Sequence, residues 1–151
     1  MTAEALSEIQ RRNVAIAKRV AEINERGGVD AVEAAFDDFF HPDFEWMPGL
    51  AGLGAEVYRG RAGFREFIAD MNTIATDSPV SFVEIRAVGE AHILTLGRLH
   101  FVGRGSDLTL DSEYGVVYRI EDGRARTGCS FLSHAEAETE AGRLERESRN
   151  G

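Results

Sequence analysis

The stretch YRGRAGFREFI, Tyr58 to Ile68, decides the fold. Tyr58-Arg59-Gly60 reads as a short extended piece and a turn. Phe64, Phe67, Ile68, Met71 and Ile74 then fall at i, i+3, i+4, i+7 and i+10, one face of a helix. Upstream, Leu6, Ile9, Val14, Ile16, Ala17, Val20 and Ile23 predict a long amphipathic first helix ending near Arg26-Gly27-Gly28. A second helix is expected from Val29 to Phe40, with Val32, Ala35, Phe36 and Phe39 buried, stopped by Pro42. Asp43 to Met47 alternates as a short strand, and Pro48 to Gly54 (PGLAGLG) reads as a flexible loop.

Downstream the pattern changes period. Four strands are expected over Val80–Val88, His92–Val102, Leu108–Ile120 and Arg124–Leu132, joined by turns at Gly89-Glu90, Gly103 to Asp107 and Glu121-Asp122-Gly123. A bulge is expected near Gly115 in the third of them. The chain closes on a polar helical tail over about 136–151, its last residues expected to be disordered. Helices first and strands afterwards predict an α+β fold.

Composition points to one soluble domain spanning 1–151. Hydrophobic residues make up 43% of the chain and charged ones 28%. No apolar run approaches the roughly 18 to 20 residues of a spanning helix, and the N-terminus has no apolar signal core. Neither a membrane nor a nucleic-acid partner is expected, because the net charge is −9 and the arginines are scattered among acids. The single cysteine, Cys129, fits a cytoplasmic setting. No HExxH, His-x-His or Cys/His cluster is present, so no metal or other cofactor is expected.

HPDFEW, YRGRAGFREFI, GRGSDL, VYRIEDGRA and HAEAE, in this order, resemble the SnoaL-like proteins of the nuclear-transport-factor-2-like superfamily. The resemblance covers about Asn13 to Ala141. It implies a cone: a curved, mainly antiparallel sheet wrapped around three helices from the N-terminal half and enclosing a pocket. It also implies a homodimer through the outer sheet face, and relatives that include polyketide cyclases, ketosteroid isomerases and limonene epoxide hydrolases. The acidic residues those enzymes use are replaced here. The hydrolase carboxylates fall on His100 and near Ser130, the isomerase base on Met47 and its oxyanion-hole acid near Val116.

Strand parity selects the candidate residues. Leu94, Leu96, Arg98, His100 and Val102 share one face of their strand, and Leu99 and Phe101 lie on the other. One reading projects Arg98 and His100 into the pocket as charge stabiliser and proton carrier, leaving Leu99 and Phe101 for the dimer. The alternative turns Arg98 and His100 to solvent, or pairs Arg98 with Glu84 or Glu113. Tyr114 and Tyr118, on the face that the resemblance makes the cavity face, are substrate-binding candidates or packing residues. Trp46 is a candidate cavity wall, Tyr58 a candidate at the mouth, and Ser130 a candidate substrate contact. His41 and Asp43 read best as a turn closed by a local side-chain bond.

Two function classes follow. One is a cofactor-independent isomerase, cyclase or lyase-type enzyme acting on a hydrophobic small molecule, with an atypical epoxide hydrolase as a variant of it. The other is a non-catalytic small-molecule-binding or dimerisation module using the same pocket.

Overall fold

The computed structural model describes residues 5–49, 55–105 and 107–150. The loop expected over Pro48 to Gly54 lies outside the described residues from position 50 to 54, as do Ser106 of the expected Gly103 to Asp107 turn and Gly151. Helix α1 (Glu8–Ala34) opens with a reciprocal cap: the Ser7 hydroxyl accepts from the Gln10 amide at 3.1 Å, and the Gln10 side chain accepts from the Ser7 amide at 3.0 Å. It breaks at Gly28, whose φ of 71° and ψ of −168° suit only glycine, where the sequence predicts the end of the first helix. The predicted second helix is divided between Val29–Ala34, which closes α1, and the single turn α2 (Phe36–Phe39).

The chain is already extended at Phe40, so β1 (Phe40–Met47) starts three residues before the expected strand. Then come β2 (Tyr58–Arg59), α3 (Gly60–Ile74), β3 (Ala75–Asp77), β4 (Val80–Val88), β5 (His92–Gly103), β6 (Thr109–Glu121), β7 (Arg124–Phe131) and α4 (His134–Asn150). The sheet runs β2-β1-β7-β6-β5-β3, with β4 also paired to β5. Only the β1–β7 pairing is parallel among these. The result is the expected α+β cone, with a strongly curled mixed sheet.

Two cores lie on the two faces of this sheet. On the concave face, α1, α2 and α3 enclose an aromatic cluster. Phe36 stacks on Phe40 at 5.1 Å, Phe40 packs on Phe44 at 4.7 Å, and the Trp46 ring meets the edge of Phe67 at 5.7 Å. On the convex face, Val88, Leu94, Leu96 and Val117 are sealed by Ala137 and Ala141 of α4. The tail is therefore a helix docked through Ala137, Ala141 and Leu144. Small residues permit this approach. A side chain at Gly115 would place its Cβ 2.8 Å from that of Ala137. That contact, and not a bulge, accounts for Gly115: the β5–β6 register runs through it unbroken, Leu96 opposite Gly115 and Arg98 opposite Glu113. A register shift falls instead between Phe82 and Glu84 of β4 and leaves Val83 82% exposed.

Candidate functional site: an aromatic cavity in the cone

The concave face, α1 and α3 enclose a cavity of about 600 Å³. Its inner wall is aromatic and aliphatic, built from Phe44, Trp46, Phe64, Phe67, Leu99 and Val116, with Tyr114 and Tyr118 projecting from β6. Its mouth lies between the break in α1 and the β3–β4 turn, where Glu25, Asp30, Asn72 and Asp77 are exposed. Those three acids are the only charged residues lining it among the described residues; no Lys, Arg or His does so.

Trp46 is 6% exposed, and its indole N–H is buried without a hydrogen-bond partner. The Cε3–Cζ3 edge of the ring lies over Gly128 of β7, where a Cβ would come within 2.9 Å, so Nε1 sits on the edge turned away from that strand. An orphaned buried donor costs about 1 to 3 kcal/mol. Burial pushes the Tyr114 phenol up to about 12, opposed by its hydrogen bond with the Ser130 hydroxyl. Burial also pushes the Tyr118 phenol well above its usual value, helped by the neighbouring Tyr114. Both phenols are thus neutral donors at physiological pH. Among the described residues, the inner chamber can hydrogen-bond an oxygen acceptor and contains no charged base.

Trp46, Tyr114 and Tyr118 line the cavity. Ser130 lies one layer behind: it is 3% exposed, donates to the Pro48 carbonyl and touches the cavity through Tyr114. The expectation for Tyr58 is corrected. It is 2% exposed, lies behind Phe67, and donates to Asp70 Oδ2 at 2.6 Å, so it anchors α3 and does not line the cavity.

The inward placement of Arg98 and His100 is also corrected. Leu99 is buried in the cavity wall, so its two neighbours face outward. Arg98 is exposed, and His100 Nδ1 meets Asp111 Oδ1 at 2.7 Å on the convex surface. The physical reason is α4: it buries Leu94 and Leu96, so the apolar residues sharing a face with Arg98 and His100 mark a helix-covered outer surface. Leu99 and Phe101, belonging to the inner core, are consequently unavailable as the outer-face dimer contact. Glu113 likewise faces outward, accepting from the His134 amide at 3.0 Å at the start of α4. The expected local bond is present, the Asp43 amide donating to His41 Nδ1 at 3.0 Å, but the expected turn is corrected: both residues lie within β1.

Sequence reasoning missed the mouth. Gly27-Gly28 read as a helix end, and only the tertiary structure brings that break opposite Asp77 across an opening. It also missed Leu99, whose only signal was its parity with Phe101.

Residues 18–127 match the SnoaL-like domain family, and the chain belongs to it. No curated protein matches the chain. Among solved structures, a nuclear-transport-factor-2-like protein of Burkholderia pseudomallei is 23% identical over 83% of this chain and 93% of its own, at a TM-score of 0.66. A Jannaschia sp. CCS1 protein named for the SnoaL-like polyketide cyclases is 16% identical over 91% and 96%, at 0.69. TerC, co-crystallised with polyporic acid, is 17% identical over 87% and 98%, at 0.65. At these identities the likeness is one of fold. No helix among the described residues is long and apolar enough to cross a membrane.

Proposed function

We propose that this protein binds a hydrophobic, ring-bearing small molecule in the cone, with an oxygen acceptor directed at the Tyr118 hydroxyl. The observation that carries this reading is an aromatic cavity of about 600 Å³, walled by Phe44, Trp46, Phe64 and Phe67, into which Tyr118 projects. A cavity of that size lies within the range of small-molecule sites, roughly 300 to 1,000 Å³. The co-crystallisation of TerC, a protein of the same fold, with polyporic acid supports the same class of ligand.

Trp46 is the only tryptophan in the chain, so its fluorescence reports occupancy directly. Titration with a panel of aromatic ketones is expected to quench or shift its emission. Tyr118→Phe should weaken the best binder about fivefold, the value of one hydrogen bond. A panel that leaves both Trp46 emission and melting temperature unchanged would overturn the reading.

A cyclase- or isomerase-type catalyst is the second reading, and it now rests on Tyr114. Its phenol lies beside the buried Ser130 hydroxyl, and in this reading it turns from Ser130 to donate a proton to a developing enolate. Arg98 and His100 no longer carry this chemistry. With a substrate in hand, Tyr114→Phe should lower turnover by about 10² or more while changing affinity only a few-fold. Equal turnover in both proteins would leave binding alone.

A further inference from the structure

The cavity has an electrostatic polarity from end to end. Its inner end presents a neutral donor, the Tyr118 hydroxyl. Its mouth presents Glu25, Asp30 and Asp77, exposed carboxylates that take part in no ion pair among the described residues. Nearby cations do not cancel them inside the opening. Arg26 stands beside Glu25 on α1 without lining the cavity, and Arg104 is held outside it, donating to the carbonyls of Asn72 at 2.7 Å and Ala75 at 3.3 Å. Glu33, the other acid near the break, is occupied by Arg61 and Arg65.

A ligand entering this cavity loses water against aromatic walls. A carboxylate would do so with no cation to pair with, an arrangement that proteins avoid. An ammonium group meets the opposite situation, with aromatic faces that attract cations and three carboxylates at the opening. Resting on the binding reading above, we propose that the cavity selects its ligand by charge and takes a hydrophobic amine. The ring system lies against the aromatic wall, an acceptor oxygen meets Tyr118, and the ammonium sits at the mouth among Glu25, Asp30 and Asp77.

The test uses three probes of one shape: a biphenyl methyl ketone carrying an aminomethyl, hydroxymethyl or carboxyl group at the far para position. Each is titrated near neutral pH against Trp46 fluorescence, with calorimetry as a second readout. At low salt the amine should bind about fivefold more tightly than the alcohol, a preference that shrinks at high salt, as interactions at an exposed mouth must. The carboxylate should bind about tenfold or more weakly than the alcohol, for want of a counter-cation. The triple variant Glu25→Gln/Asp30→Asn/Asp77→Asn should bring the Kd of the amine to that of the alcohol. Equal affinity of amine and alcohol in the wild type would overturn the proposal. So would a preference that survives in the triple variant, or a carboxylate that binds as well as the alcohol. Silence from all three probes overturns the binding reading itself, whereas binding of the alcohol without charge preference overturns only the selection by charge.

Discussion

Leu99 and Arg98 are adjacent in β5 and belong to different environments. Leu99 is 4% exposed in the cavity wall, while Arg98 stands in water opposite Glu113. The two faces of the sheet differ in the same way. The concave face is closed by three helices around a space that stays open, and the convex face is closed by one helix packed flush on Leu94, Leu96 and Val117. A helix laid on alanines and Gly115 leaves no room for a ligand, whereas bulky aromatic side chains hold α1 and α3 away from the sheet. The size of the contact residues, more than their hydrophobicity, separates a cavity from a seam.

The largest test of this difference is Leu99→Lys. A charge forced into the inner wall should cost about 3 to 4 kcal/mol, read from chemical denaturation, while Arg98→Leu one position away should stay within about 0.5 kcal/mol. Comparable losses in both would contradict the assignment of faces.

Alkaline titration comes next. Folded-state burial raises the Tyr114 phenol from 10.0 to about 12, and Tyr118 and Tyr58 shift in the same direction. The unfolded chain releases these protons first. The stability they contribute is therefore complete below pH 10 and is lost as pH rises through about 12, by roughly 3 kcal/mol for a shift of this size. Circular dichroism at rising pH should show unfolding in that window, and Tyr114→Phe should make the dependence shallower. An unchanged slope would mean that Tyr114 is solvated.

On the convex side, Ala137 is fully buried, so Ala137→Glu should cost about 2 kcal/mol and expose Leu94 and Leu96, detectable as dye binding. If stability were untouched, α4 would not be docked. The smallest effect belongs to His100→Gln. With the imidazole outside, bonded to Asp111, ligand affinity and any turnover should match the wild type. A loss of either would return His100 to the site.

Much of the fold was legible because each signal is local. Gly28 ends a helical stripe, Phe64 to Ile74 repeat at helical spacing, and Asp122-Gly123 turns a hairpin, the aspartate itself adopting a φ of 52°. The candidate site was legible in part. Tyr114 and Tyr118 were placed correctly because alternation puts them together and the family resemblance says which side is concave. Arg98 and His100 were not legible in this way, because the leucines that share their face, Leu94 and Leu96, are buried by a helix from the end of the chain and not by the cavity.

The chain by itself determined the order of its helices and strands, their periodicities, and which side chains share a face. A strand's period of two groups Leu99 with Phe101 and Arg98 with His100 and carries no sign to say which group is inside. That sign came from tertiary structure alone. Docking α4 across β5 and β6 made one apolar half-face an exterior seam, and the aromatic side chains around Trp46 kept the opposite face open as a cavity.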